Sequence, residues 1–376
     1  MVQFVRYVFP PLFETLQATY GVSNTQTGLL FTLLMLGYST TQLPAGVLGD
    51  RFGEPRVILG GVGIFATAAV GAFLAPTFTL LTLTATVIGI GTGVHKTVAI
   101  PYLSKEYPQR TGLALGVMDT IGQLGGIVAP VIVVVLLASL FHWSVVFVLI
   151  AVVSLGLGLL FFISSSSVTV RPEQDHAADD GDEDPGLHAY LSIFVDRKLV
   201  LFLIVTTLFT FVWNGIASFF PLFLMTQKGL SSDLAGLAYS LLFAASLSQL
   251  ATGDISDRFG RLRVSLLLFV LMIIGLSLIV VVQALVPILV FTVVMGIGLH
   301  GFRPVRDSYL MDLIPSSVGG GTLGIVRTVM TVIGALSPVI VGYLSDTVGF
   351  TAAFIVLIAV LICGIALIGM LKKQSI

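Results

Sequence analysis

Twelve stretches of about 20 mostly apolar residues follow one another along the chain, separated by polar connections. A hydrocarbon core about 30 Å thick needs about 20 residues of helix to cross it. Each crossing segment must satisfy its own backbone hydrogen bonds, and the runs lack period-2 alternation, so they predict helices rather than a barrel. The runs fall near residues 2–20, 27–49, 56–75, 78–103, 111–139, 143–164, 198–226, 233–255, 263–283, 286–311, 317–345 and 349–371.

The composition agrees with lipid as the main solvent of an all-α membrane protein. Of 376 residues, 56% are apolar and only 10% are charged, whereas an ordinary soluble domain carries roughly 25% charged residues. The one cysteine, Cys363, excludes a disulfide framework or a cysteine metal site. No Gly-x-x-x-x-Gly-Lys-Ser/Thr loop occurs, which argues against a nucleotide-driven pump. We expect no enzymatic activity, no cofactor, no metal and no nucleic-acid partner.

Lysine and arginine are distributed unequally among the connections. Twelve lie in the even-numbered connections and at the C-terminus, whereas Lys228 alone lies in an odd-numbered one. Basic residues favour the cytoplasmic side, so we expect a multi-pass protein of the cell membrane with both termini in the cytoplasm. Seven of the nineteen acidic residues lie between Glu173 and Asp184. They predict a cytoplasmic acidic linker, residues 165–196, between an N-terminal six-helix bundle, 1–164, and a C-terminal one, 197–376.

The two halves repeat one another. Gly46-Val-Leu-Gly-Asp50-Arg51-Phe52-Gly53 recurs 207 positions later as Gly253-Asp-Ile-Ser-Asp257-Arg258-Phe259-Gly260. Two further matches pair Gly91-Thr-Gly93-Val-His95 with Gly296-Ile-Gly298-Leu-His300, and Gly116 through Pro130 with Gly324 through Pro338. Twelve helices in two related sets of the same orientation predict pseudo-symmetric bundles about an axis along the membrane normal.

The pattern Gly46-x-x-x-Asp50-Arg51-x-Gly53 resembles the signature loop between the second and third helices of the major facilitator superfamily (MFS). The resemblance covers nearly the whole chain and implies a secondary active transporter of the 12-helix type, which works by alternating access. Two features depart from the family pattern. Glu54 stands at the next basic position, and Ala129, Val133 and Val134 replace glycines of the antiporter motif in the fifth helix.

We interpret the repeated loop as a conformational latch. Its glycines permit close helix approach, and a carboxylate at a helix end favours the positive N-terminus of a neighbouring helix. The resemblance implies that Asp50 faces the start of helix eleven near Ser316 and Ser317. By symmetry, Asp257 would face the start of helix five near Thr111. In the alternative interpretation, the arginines only set the topology. The predicted latch residues are Gly46, Asp50, Arg51, Gly53, Asp257 and Arg258.

Ionisable side chains inside the apolar runs are costly in lipid and therefore mark the candidate site. The helical rise puts Lys96 and Asp119 about 13 Å, and Arg303 and Arg327 about 16–18 Å, from the cytoplasmic helix ends. Both depths are near the membrane midplane, where a translocation site belongs. The predicted substrate-binding residues are Lys96, Arg303, Arg327, His95, His300 and Asn214.

The surplus of positive charge in this set favours an anion, because guanidinium groups bind oxyanions bidentately. Pro304 is expected to break helix ten locally and to free backbone groups there. Two alternatives remain open: interhelical salt bridges such as Asp119–Lys96 and Arg303–Asp307, and recognition of a neutral or cationic solute.

Proton coupling requires a group in the cavity that changes its charge. Glu14 and Asp119 are the predicted coupling residues, because burial disfavours an ionised carboxylate. The sequence therefore predicts a monomeric secondary transporter for a small organic or inorganic anion, moved with protons. A drug/proton efflux antiporter is the first alternative, and a transporter-like solute sensor is the second.

Overall fold

The computed structural model describes residues 1–139, 141–166, 196–314 and 319–374, and these residues are helical almost throughout, without a strand. The helices before the linker, the N-half, are α1 (Val2–Tyr7), α2 (Phe9–Tyr20), α3 (Asn24–Phe52), α4 (Glu54–Phe73), α5 (Phe78–Glu106), α6 (Thr111–Ala138) and α7 (Val145–Ser166). Those after it, the C-half, are α8 (Arg197–Lys228), α9 (Ser232–Ala244), α10 (Gln249–Phe259), α11 (Arg261–Val281), α12 (Leu285–Leu313), α13 (Gly319–Ala335), α14 (Ser337–Thr347) and α15 (Phe350–Lys373).

Ten helical segments of the described residues are long and apolar enough to cross a membrane. The other two predicted spans correspond to α1 with α2 and to α3. Three spans are divided: α1 and α2 meet at Val8, a 3-10 turn at Ala245–Ser248 joins α9 to α10, and α13 meets α14 at Leu336. The prediction of an all-helical membrane protein is confirmed.

The repeated loop ends two helices in the same way. Gly53 ends α3 with φ 86°, and Gly260 ends α10 with φ 92°. Only glycine adopts such a conformation without steric cost, so this glycine is where the chain reverses in both halves. The expected break at Pro304 is wrong, because α12 continues through that residue to Leu313. A long helix packed on both sides tolerates one missing backbone donor in its interior.

Glycine pairs let α5 and α12 approach both of their neighbours closely. A Cβ at Gly91 would lie 2.8 Å from the Gly61 carbonyl of α4, and one at Gly298 would lie 2.6 Å from the Leu268 carbonyl of α11. Gly93 meets the Tyr38 backbone of α3 in the same manner. These contacts fix the height and rotation of the helix just before His95 and His300, which follow each pair by two residues.

The two halves touch tightly at one end, which we call the Gly21 end. The Asp346 carboxylate of α14 accepts hydrogen bonds from the backbone N–H groups of Asn24 (3.1 Å) and Thr25 (2.8 Å), and from the Thr25 hydroxyl (2.6 Å). Asp346 therefore caps the N-terminus of α3 in the other half. On the opposite side of the interface, Ser240 of α9 donates to the Ile127 carbonyl of α6 at 3.0 Å.

On the α6 side of the interface, the halves are apart at the other end, which we call the Gly53 end. A Cβ added at Gly112 or Gly116, near the start of α6, would have no described atom within 4 Å. Ten residues along the same helix, a Cβ at Gly126 would lie 2.6 Å from the Phe243 ring of α9. Contact between the halves is therefore confined to the Gly21 end on this side of the interface.

Gly126→Leu is expected to destabilise the protein, whereas the matched variant Gly116→Leu is not. Phe243 is 1% exposed and packs against the rings of Tyr7 and Tyr239, so it has little room to move. Overpacking of this kind costs about 1–3 kcal/mol. Thermal unfolding of the detergent-purified variants measures the difference. Equal unfolding temperatures for the two would contradict closure at the Gly21 end.

Candidate functional site

A group of aromatic and cationic side chains lies between the halves near the midpoints of their helices. We call it the central cluster, and its members come from α1, α3, α8 and α12. They are joined by ring contacts, cation–π contacts and one hydrogen bond. The central cluster consists of Arg6, Tyr7, Tyr38, Trp213, His300 and Arg303.

Each half contributes one arginine to the central cluster. The Arg303 guanidinium of α12 lies 4.4 Å from the centroid of the Trp213 ring, and the Arg6 guanidinium of α1 lies 4.1 Å from the Tyr38 ring. Arg303 is close enough for its charge to interact with those of Arg6, Arg306 and Asp307. Trp213 Nε1 donates to Tyr7 Oη at 3.3 Å, which connects the two sides across the interface.

No carboxylate of the described residues forms an ion pair with either arginine. Arg6 Nη2 donates to the neutral Gln3 Oε1 at 2.8 Å, and Arg6 Nε has no hydrogen-bond partner among those residues. Arg6 is only 7% exposed. A guanidinium held in this way over an aromatic ring is partly stabilised by the ring electrons but keeps unused donors. The central cluster thus carries positive charge and free hydrogen-bonding capacity.

His300 is the most enclosed member of the central cluster. Its ring is fully buried, 5.0 Å from Trp213 and 5.8 Å from Phe243, and it interacts with the backbone of Leu242. Asn214, beside Trp213 in α8, is buried as well.

Arg327 lies in a different charged group. Its Nη2 is 3.9 Å from one carboxylate oxygen of Asp307, while Arg306 Nε donates to the other at 2.8 Å. The alternative pair Arg303–Asp307 is therefore replaced by a group in which Arg306 and Arg327 share Asp307. Sequence spacing favours the pair Arg303–Asp307, because residues four apart share a helix face and adjacent residues do not.

The remaining predicted residues lie in the N-half. His95 of α5 is half-buried, and its Nδ1 has no partner among the described residues. Asp119 of α6 is exposed and lines the same cavity as His95 and Arg6. Glu14 is exposed on α2. The side chain of Lys96 lies outside the part that the structure describes, so the predicted Asp119–Lys96 pair stays a prediction.

Sequence reasoning assigned no role to Arg6 or Tyr7. Arg6 is one of the ionisable residues of the apolar runs. Counting back from Tyr20, at about 1.5 Å per residue, would have put Arg6 about 21 Å from the Gly21 end, near mid-membrane. Tyr7 adjoins Arg6 and offers no signal of its own in an apolar run.

Comparison with known proteins identifies the architecture. The family model of the Major Facilitator Superfamily matches residues 1–247 and 202–375. The chain belongs to this superfamily. It is a multi-pass membrane transporter and not an enzyme, and its fold is the predicted arrangement of helices in two pseudo-symmetric bundles.

Relatives of this MFS transporter include two curated bacterial proteins. The chain is 25% identical over 361 residues to the hexuronate transporter of Bacillus subtilis, covering 90% of this chain and 84% of that one. It is 26% identical over 352 residues to a probable sulfoacetate transporter of Cupriavidus necator, covering 88% and 80%. A bacterial homologue of the human lysosomal transporter Spinster shares the fold with a TM-score of 0.81 at 17% identity, covering 99% and 94%.

The loop residues of this MFS transporter lie at the open Gly53 end. Asp50 and Arg51 are exposed, and the proposed partners of Asp50, Ser316 and Ser317, lie outside the described residues. A Cβ at Gly46 would lie 3.7 Å from Thr97, an ordinary contact. The predicted close approach is therefore absent at that glycine in this conformation.

The ion pairs that the second copy of the loop makes with other described residues all lie within the C-half. Asp257 lies 3.5 Å from Arg261 Nη2, and Arg258 lies 2.9 Å from Asp254. Arg261 also pairs with Asp312. The N-terminus of α6, which begins at Thr111, receives no capping hydrogen bond from its N-cap side chain. Asp257 thus engages its own half, and its predicted contact with helix five stays a prediction for a closed state.

Asp346→Ala is expected to loosen the Gly21 end of this transporter. The carboxylate caps α3 across the interface, and loss of such a cap costs about 0.5–2 kcal/mol, which corresponds to about a 2- to 30-fold shift. In a Cys363→Ser background, a cysteine replacing Thr32 reports opening, because Thr32 is buried there and accepts from the Val339 N–H at 3.1 Å. In the Asp346→Ala variant, the rate at which maleimide labels this cysteine should rise by about 2- to 30-fold.

Asp233→Ala is the matched control, since Asp233 is exposed at the same end and lies in the first turn of α9. Its removal should leave the labelling rate unchanged. An Asp346→Ala rate equal to that of the control would mean that the cap does not hold the halves together.

Proposed function

We propose that this transporter carries a small organic anion across the cell membrane by alternating access, with protons as the coupling ion. The observation that carries the proposal is the pair Arg6 and Arg303, one from each half, without a carboxylate partner among the described residues. An anion that binds both arginines would link the halves, so its affinity would depend on their relative position.

The chemistry of the central cluster suits a carboxylate or a similar oxyanion. Guanidinium groups bind such anions bidentately, and both groups here are held over aromatic faces that fix their planes. In a low-dielectric interior the repulsion between two cations is strong, so an anion between them gains more than it would in water. The curated relatives named for hexuronate and sulfoacetate transport support this substrate class.

The arrangement of the halves supports alternating access. Basic connections assign the Gly53 end to the cytoplasm, so the conformation described here opens inward and closes outward at Asp346. The N-terminal bundle 1–164 and the C-terminal bundle 197–376 would rock about the central cluster, with 165–196 as the cytoplasmic linker. Closure of the Gly53 end would then form the latch of Asp50 with helix eleven and of Asp257 with helix five.

The other predicted residues have supporting roles in this proposal. In this proposal His95 and Asn214 add hydrogen bonds along the anion path, and Lys96 and Arg327 add positive charge to it. Asp119 exchanges the coupling proton, because it lines the cavity that also contains Arg6. Glu14 serves as a second proton site along the same path. The protein works as a monomer, since one chain supplies both arginines.

Arg303→Gln and Arg6→Gln are each expected to weaken anion binding about 10- to 100-fold, because each removes a charge-assisted hydrogen bond of about 1.5–3 kcal/mol. The chain has two tryptophans, so Trp213 is the one that remains in a Trp143→Phe background. Its ring centroid lies 4.4 Å from the Arg303 guanidinium. Its fluorescence, titrated with D-glucuronate, sulfoacetate and cis,cis-muconate, reports binding. Arg263→Gln, at an exposed position of α11, is the matched control.

Arg303→Lys is the control for misfolding. It keeps the positive charge, so it should bind the anion with an affinity between those of wild type and Arg303→Gln. Equal affinity in wild type and both Gln variants would contradict the proposed site. Binding of an amphiphilic cation in place of all three acids would favour a drug antiporter. Counterflow in proteoliposomes separates transport from sensing, and binding without exchange would contradict the transport function.

A further inference from the structure

A cavity of about 410 Å³ lies inside the N-half, next to the central cluster. Residues of α1, α3, α4, α5, α6 and α7 line it, and all of these belong to the N-half. Apolar side chains such as Val62, Phe65 and Phe161 form part of its wall. Its size is within the range of small-molecule sites, which is roughly 300–1,000 Å³.

Three buried polar atoms of the cavity wall lack a hydrogen-bond partner among the described residues. They are Arg6 Nε, His95 Nδ1 and Ser154 Oγ, from three different helices. Ser154 is 1% exposed and Arg6 7% exposed. Buried polar groups nearly always have a hydrogen-bond partner. Three unpaired groups around one cavity therefore favour a polar ligand that forms the missing hydrogen bonds.

Ser154 differs from several other buried hydroxyls of this chain, although among the described residues Ser248, Thr252 and Ser337 also have an unpaired hydroxyl. Ser39 donates to the Met35 carbonyl at 2.8 Å, and Thr92 donates to the Ile88 carbonyl at 2.9 Å, each within its own helix. Helical serines and threonines usually satisfy themselves in this way. The Ser154 hydroxyl makes no such bond among the described residues, although Ser154 lines the cavity.

Arg6 connects the cavity to the central cluster. It lines the cavity and stacks on Tyr38, and the next residue, Tyr7, accepts a hydrogen bond from Trp213, on which Arg303 lies. A ligand with its carboxylate between the two arginines therefore has the cavity beside it. The rest of that ligand would meet the Ser154 hydroxyl and the His95 imidazole.

From this juxtaposition we infer that the N-half cavity is a subsite for the hydroxyl groups of a polyhydroxylated organic acid. This inference rests on the proposed function, because the carboxylate of the same acid lies at Arg6 and Arg303. A hydroxyl group both donates and accepts, so it pairs with a guanidinium N–H, a serine hydroxyl and either tautomer of histidine. The apolar wall packs against the C–H faces of the ligand ring.

The test compares two ring acids of similar size in the Trp143→Phe background: D-glucuronate, which carries hydroxyl groups, and cyclohexanecarboxylate, which carries none. Wild type should bind D-glucuronate at least tenfold more tightly, because sites built for hydroxyl groups reject analogues that lack them. Ser154→Ala should weaken D-glucuronate binding about 3- to 10-fold, as expected for one lost hydrogen bond. It should leave cyclohexanecarboxylate unchanged.

Two further variants keep the test informative. Ser154→Val removes the hydroxyl and fills space with an apolar group that a membrane helix tolerates, so it should lower D-glucuronate binding further without lowering the unfolding temperature. Ser39→Ala is the matched control: it removes a buried hydroxyl that is already satisfied within its own helix. It should change the binding of neither acid.

The outcomes separate this subsite from the proposed function. If both acids bind equally well and Ser154→Ala changes neither, the cavity holds water only and the subsite is overturned, while the carboxylate site stands. If Ser154→Ala weakens D-glucuronate selectively but Arg6→Gln and Arg303→Gln do not, the proposed carboxylate site is wrong and the subsite stands. Binding of sulfoacetate but of neither ring acid also overturns the subsite.

Discussion

The structure depends on the cost of holding two guanidinium groups halfway across a layer of hydrocarbon. A charge at that depth is expensive, and proteins retain it where it faces a cavity or a partner. Here Arg6 and Arg303 lie over aromatic rings, and neither forms a salt bridge with a carboxylate of the described residues. The aromatic faces reduce the cost without neutralising the charge. In the proposed function, the remaining cost is what an anionic substrate removes when it binds.

The same pair explains why the site lies at the interface of the halves. Each arginine belongs to one half, and the hydrogen bond from Trp213 to Tyr7 crosses between them. Backbone-level contacts close the Gly21 end, where glycines such as Gly28 and Gly342 allow carbonyl groups of the other half to approach directly. Side-chain rearrangement alone cannot open such contacts. A change of access therefore requires movement of whole helices, as in a rocking mechanism.

Much of the fold was predictable because membrane spans are set by length and hydropathy, and the repeated loop fixed the relation between the halves. The helix break at Val8 is marked in the sequence by Pro10 and Pro11 in the first turn of α2. The break at Ala245–Ser248 was not predictable, because that turn carries neither proline nor glycine. Pro304 was expected to break α12 and does not, since packing outweighs one lost donor.

The site was predictable only in part, for a related reason. Arg303 and His300 were found because ionisable residues in apolar runs are conspicuous, and both belong to the central cluster. Arg327 satisfied the same criterion but lies with Asp307 and Arg306. Depth along a helix is readable from sequence, whereas rotation about its axis depends on packing. The position of Arg6 over Tyr38 likewise depends on the rotation of α1 and was not predicted.

The most direct test of this account is the position of a bound anion in a crystal structure of the complex with the tightest-binding carboxylate. The account predicts carboxylate oxygens within about 2.7–2.9 Å of both guanidinium groups, Arg6 and Arg303. A carboxylate bound beside Arg306 and Arg327 instead, with Arg6 and Arg303 still stacked on their rings and without contact to the ligand, would contradict it.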